Sequence, residues 1–202
     1  MKSFDVLIIG GGVAGLSCAL ILGSAVNKPF AKDKKIGVIS HQKSSALKSA
    51  ILNNVLGFNE GTTGSEILSK GLQQLTELYP EVSQIEKEKV LKIENNEKSI
   101  TVTTNKNTYT ATTIVVAVGP SNLFNIEGLM QYILPHHNLP PQKERIMLKN
   151  KNHVVTDEIY VAGVLAGHIS QYAIASGSGA QVATDILSKW NHGNHTMIHD
   201  AI

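Results

Sequence analysis

The 202-residue sequence contains one cysteine, Cys18, so it forms no internal disulfide, and dithiol exchange, which needs two thiols, is excluded for these residues alone. A lone thiol at the start of an apolar helix fits a reducing compartment, which makes the cytoplasm the expected location. Charge of one sign is equally scarce. Eighteen Lys and Arg against sixteen Asp and Glu leave a net charge of +2, which removes the electrostatic case for nucleic acid or an acidic membrane as partner. Nor is there an unbroken apolar run of membrane-spanning length. The stretch from Lys2 to Leu22 is interrupted by Gly10, Gly11, Gly12 and Gly15, and reads as strand, turn and helix rather than as a signal peptide or a span. Repeats and low-complexity tracts are missing. With 42% hydrophobic and 17% charged residues the composition is that of a folded chain, and disorder is excluded. The expected partner is therefore a small molecule.

What is present alternates strand and helix. Phe4 to Ile9 reads as a buried parallel strand, Val13 to about Val26 as a helix, and "KKIGVIS" (34–40) as a second buried strand, a right-handed βαβ unit. The Asn- and Gly-rich "LNNVLGFNEGTTG" is a loop. Leu68, Leu72, Leu75 and Leu78 then recur at helical spacing until Pro80. "KVLKIE", "SITVTT" and "TYTATT" alternate around an "NKN" turn and predict a small antiparallel meander, after which "IVVAVGP" predicts a separate buried strand. Residues 121–152 read as an irregular connection. "EIYVAG" restores a buried strand, and a last helix runs to about Trp190. The expected fold class is α/β: one Rossmann-like dinucleotide-binding domain over 1–202, its mostly parallel sheet carrying a small antiparallel β-meander.

The chemistry sits in "GGGVAG". Gly10, Gly12 and Gly15 match G-x-G-x-x-G between a strand and a helix, with Val13 and Ala14 opening the helix. The first glycine permits the tight turn, the second lets the backbone approach a pyrophosphate, and the third lets helix and strand pack closely. Helix amides and the helix dipole then hold the phosphates. An acidic residue ordinarily ends the second strand and binds the adenosine ribose. Here Ser40 or His41 takes that place, with Lys43 and Ser44 beyond. Such an end suits a ribose 2′-phosphate, as in an NADP site, or marks an eroded site. Ala117 and Gly119, closing the buried strand after the meander, mark a backbone that approaches a ligand.

Three segments in order then resemble the FAD domain of the thioredoxin-reductase-like flavoproteins, within the pyridine nucleotide-disulfide oxidoreductases: "NNVLGFNEGTTGSEILSKGLQQL", "TYTATTIVVAVGPS" and "DEIYVAGVLAGHISQYAIASGSGAQVATDIL". The resemblance covers nearly the whole sequence. It implies that Gly10, Gly12 and Gly15 cradle the FAD pyrophosphate, that Asn54 lies near the flavin ring, and that Val90 falls where backbone meets adenine. It places Gly163, Val164, Gln171, Tyr172 and Ala173 where the last helix meets the pyrophosphate, ribityl chain and pyrimidine edge of the flavin. Two carboxylates of the family are replaced, at Ser40 and at Val164, and its Gly-Gly-Gln segment near the flavin has no match. The family's NAD(P)H domain, with its Cys-x-x-Cys pair, would be inserted at 121–152, between a first half (1–120) and a second (153–202), and is absent there.

The resemblance implies an FAD flavoprotein of oxidoreductase type, drawing electrons from diffusible NAD(P)H or from a separate electron-transfer protein, and a homodimer by family habit. The rival readings are a non-catalytic nucleotide-binding or regulatory protein with a degenerate site, and a subunit paired with a chain that supplies the missing domain. No catalytic residue is assigned. Cys18 reads as helix packing, His168 as a loop histidine, and His136, His137, His192, His195 and His199 as polar surface with no metal expected.

Overall fold

The computed structural model describes residues 1–41 and 45–199. Strand β1 (Lys2–Ile9) lies at the centre because both of its edges are paired and both of its faces are covered. Val6 and Ile8 point to one core, Leu7 and Ile9 to the other, which is why the run is apolar without alternation. On one side β1 pairs in parallel with β2 (Ile36–Ser40), which pairs in parallel with β3 (Ser83–Glu86). On the other side it pairs in parallel with β6 (Thr108–Val116), then comes β10 (Ile159–Val161) and, antiparallel at the edge, β9 (Val154–Thr156). β4 (Val90–Asn95) and β5 (Ile100–Thr104) form the meander, with β5 pairing the first half of β6.

Helix α1 (Val13–Ser24) and α3 (Tyr172–Trp190) pack together on one face, joined by α2 (Gly64–Leu78), whose first turn is capped by Thr63 Oγ1 accepting from the Glu66 amide at 3.2 Å. Close approach is set by glycines that face backbone. A methyl at Gly15 would overlap the Gly10 carbonyl, and one at Gly179 would overlap the carbonyl of Ala14. The other face is covered by the meander with Ile126, Leu129, Leu148 and Leu165.

The α/β class, the mostly parallel sheet and the small meander agree with the sequence reading; three details correct it. "TYTATT" and "IVVAVGP" are not two strands. β6 is continuous, and its pattern changes from alternating to fully buried because its outer neighbour changes from β5 to β10. The connection carries an antiparallel pair of its own, β7 (Ile133–Pro135) with β8 (Ile146–Leu148), whose three-residue strands are too short to display a period. β3 and β9 were unmarked in the sequence because each is short, half-buried and at a sheet edge.

Candidate functional site

The glycine turn joins β1 to α1. Gly10 has φ of +117° and its amide donates to the Ile39 carbonyl at 2.9 Å, so the turn is tied to the end of β2. A side chain at Gly10 would strike the carbonyl of Ala117, whose own amide donates to Ile9 at 2.8 Å. Gly12 is the N-cap of α1. It offers no side-chain cap, the first turn holds no acidic residue, and a Cβ there would meet nothing within 4 Å. A twelve-residue helix thus starts with no side chain capping its first-turn amides, the arrangement that accepts an anion. Gly119, at φ of +83°, likewise faces open space.

The second half of the chain arrives beside that turn. Gly163 (φ +75°) lies so close that a methyl on it would stand 2.9 Å from the Ala14 Cβ. Its amide donates to Ser178 Oγ at 2.8 Å, which ties the 163–166 turn to α3. The carbonyls of that turn are held from the connection. His136 Nε2 donates to Val164 at 2.8 Å, Asn138 Nδ2 to Gly167 at 2.8 Å, and Asn150 Nδ2 to Ala166 at 3.1 Å. α3 starts at Tyr172 behind Gln171, again with no side-chain cap and no acid in its first turn. Gln171 and Ala173 are exposed. Tyr172 packs edge-on to Phe58, ring centres 5.2 Å apart, and burial pushes its phenol above the usual value of 10. Tyr172 and Val13 face one groove of about 320 Å³ that also takes in Ser17, Gly57 and Phe58.

The end of β2 opens into a different cavity, of about 490 Å³, lined by Ser40, His41, Lys48, Leu72, Glu86, Lys87 and Asn105. Ser40 is buried, and its carbonyl accepts from the Lys87 amide at 3.3 Å. Lys43 and Ser44 lie outside the described residues. Val90, expected to meet adenine through its backbone, has its side chain buried in the core beneath the meander, and Glu86 and Lys87 line the cavity beside it in sequence. Asn54 is exposed on the loop between β2 and α2 and lines neither cavity, while Gly57 and Phe58 do. Lys48, Glu86, Lys87 and Asn105 were not singled out in the sequence; Glu86 and Lys87 lie in the polar run "SQIEKEK" after Pro80, Asn105 opens the "NKN" turn, and Lys48 carries no local signal.

A chain of side chains missed in the sequence backs the Gly163 turn. Ser178 Oγ, which accepts from the Gly163 amide, is 3.0 Å from His153 Nε2, itself 3.0 Å from His168 Nε2. Burial, followed by the neighbouring His168, lowers the His153 pKa below its usual 6.5, against a smaller opposing pull from Asp185. His168 is thus a paired ring rather than a free loop histidine. Among the described residues no group of three or more His, Cys, Asp and Glu is placed to hold a metal, and no helix is long and apolar enough to cross a membrane.

A mostly parallel sheet, a glycine turn feeding an uncapped helix, and a second uncapped helix beside it define a Rossmann-like α/β protein. Residues 4–183 match the pyridine nucleotide-disulphide oxidoreductase family, and the chain belongs to that family. No curated protein matches it. The fold is that of a thioredoxin reductase from Gloeobacter violaceus, with a TM-score of 0.74 at 15% identity over 100% of both chains. It is also that of a ferredoxin-flavin thioredoxin reductase from Clostridium acetobutylicum (TM-score 0.70, 17% identity, 95% of this chain and 99% of that one). An oxidoreductase from Agrobacterium tumefaciens gives 0.69 at 17% identity over 94% and 98%.

This is an FAD-binding oxidoreductase family, and the residues present meet FAD unevenly. The bare Gly12 cradle fits the pyrophosphate. Ser40 ends β2 and Val164 lies in the 163–166 turn, so neither place offers a carboxylate to accept sugar hydroxyls.

Proposed function

We propose that the chain binds FAD across the glycine turn and acts as a flavin oxidoreductase fed by diffusible NAD(P)H or by a separate electron-transfer protein in the cytoplasm. The observation that supports this best is the pair of uncapped helix starts, α1 at Gly12 and α3 at Gln171, brought to one edge by the Gly163 to Ala14 approach. Bound flavin would supply the electron acceptor that the chain itself lacks. The amides of Val13 and Ala14 bind phosphate oxygens, and Gly10 and Gly15 keep the turn tight against Ala117 and α1. The 163–166 turn, fixed by His136 and Ser178, orients the ligand along α3, whose N-terminal dipole favours negative charge developing nearby. The name of the Clostridium relative, a ferredoxin-flavin enzyme, supports a protein donor for this chain too. A homodimer remains part of the proposal from family habit.

One observation favours a second reading, a non-catalytic nucleotide-binding or regulatory protein: both sugar-binding carboxylates are replaced, and the ribose end carries lysines. An absorbance scan after soaking with FAD and desalting, followed by anaerobic addition of NADPH and NADH, separates the two. Retained flavin bands that bleach with a nicotinamide support direct reduction. Retained bands that bleach only with a reduced protein donor support the partner version. A colourless protein overturns the flavin reading.

A further inference from the structure

The cavity beyond β2 has the chemistry of an anion site. Lys48 and Lys87 both line it, and neither forms an ion pair among the described residues, whereas Lys34, Lys70, Lys92 and Lys189 all do. His41 adds a further donor, and Asn105 contributes a side-chain amide whose Oδ1 is taken by the Lys89 amide at 2.8 Å, leaving its NH₂ as the available group. Glu86 is the one carboxylate on the wall, so the two lysines outnumber it.

The backbone is strained to build this wall. Lys87 sits at φ of +59°, in the left-handed region that a lysine seldom adopts, and its amide is bound to the carbonyl of Ser40, the residue that ends β2. The turn is held from beneath by a buried carboxylate. Glu88 accepts from Thr104 Oγ1 at 2.6 Å, Asn107 Nδ2 at 2.7 Å and Tyr109 OH at 3.0 Å, which clamps the 105–107 turn against 86–90. The strain is thus maintained by a satisfied network, and the residue it places on the cavity wall is a lysine.

In a dinucleotide-binding βαβ unit the end of the second strand meets the adenosine ribose. A carboxylate there accepts ribose hydroxyls and repels a phosphate; Ser40 with two unpaired lysines does the reverse. We propose that this cavity binds a phosphate monoester on the adenosine ribose, so that the cradle takes ribose-phosphorylated adenine nucleotides in preference to unphosphorylated ones and in competition with FAD. The inference rests on the reading that the adenosine end of a dinucleotide bound at the Gly12 cradle lies beyond β2.

Calorimetric titration of the full chain with AMP, adenosine 2′,5′-bisphosphate and adenosine 3′,5′-bisphosphate tests it. At least one bisphosphate binds about tenfold tighter than AMP or more if the extra phosphate gains charge-assisted hydrogen bonds, and the better of the two shows which hydroxyl carries the phosphate. Lys87→Gly relieves the left-handed strain, so it folds at least as well, yet it and Lys48→Ala each reduce the preference toward onefold. Glu86→Gln raises it. Equal affinity for all three ligands overturns the phosphate site and leaves the cradle reading intact. Failure of all three ligands and of FAD to bind overturns the cradle reading, and this inference with it.

Discussion

His136 donates from Nε2 to the carbonyl of Val164 at 2.8 Å while its Nδ1 accepts from the Asn138 amide at 3.2 Å, so one tautomer of a buried imidazole holds the turn where the family has a carboxylate. The short connection therefore does more than bridge the two halves. It fixes the turn that meets α1. Replacing His136 by Ala removes this tie and leaves the partly buried Val164 carbonyl and Asn138 amide without their partner, at a cost of about 1–3 kcal/mol in folding free energy. Denaturant unfolding of the variant checks the figure.

Val164→Asp puts a carboxylate into the 163–166 turn, where the proposed FAD site meets the ribityl chain. Because Val164 is only half-buried, the charge stays hydrated. FAD affinity is expected to rise about tenfold or more, the value of one hydrogen bond to a charged group. Equilibrium dialysis of FAD against both forms measures it, and unchanged affinity would place the flavin elsewhere.

Much of this was legible in sequence, and what was hidden was hidden for physical reasons. The glycine turn, α1, α2 and α3 announce themselves because glycine spacing and leucine periodicity are local signals. The His153–His168–Ser178 chain does not, since its members are 15 and 25 residues apart and meet only when β9 and α3 pack. The cavity at Ser40 was half legible. The missing carboxylate was visible at the end of β2, but Lys48 and Lys87 reach the same place from a short 3-10 helix and from the turn that follows an edge strand with no apolar pattern.

A half-buried histidine and a buried glutamate make stability pH-dependent in the same direction. His153 has its folded pKa below the unfolded value of 6.5, so the folded state resists its protonation, and the stability this confers is present above about pH 6.5 and declines as pH falls below it. Burial alone would raise the Glu88 pKa, but the hydrogen bonds from Thr104, Asn107 and Tyr109, with the charge of Lys106, outweigh it and hold the carboxyl below its usual 4.5. That contribution is present above pH 4.5 and is lost as pH falls through the folded value. Melting temperature should therefore fall in two stages on acidification from pH 8, and His153→Gln should remove the upper stage only.

Cys18 is buried in α1, and burial pushes its thiol far above the ordinary range. The folded protein should resist alkylation by iodoacetamide, with labelling appearing only on denaturation. Cys18→Ala should leave any electron transfer unchanged, as measured by dye reduction.

Dinucleotide binding at this turn depends on the bare helix start at Gly12. Gly12→Asp supplies a good N-cap in a conformation that aspartate adopts readily, φ of −79° and ψ of −174°, in a place where a Cβ meets nothing. Folding should therefore be kept, with an unchanged or slightly higher melting temperature. The new carboxylate would occupy the amides that a pyrophosphate needs and repel its charge. Binding of FAD and ADP to wild type and Gly12→Asp, measured side by side by calorimetry, tests this directly. Loss of about a hundredfold or more in affinity with folding intact is the predicted result. Equal binding by the two forms would contradict it.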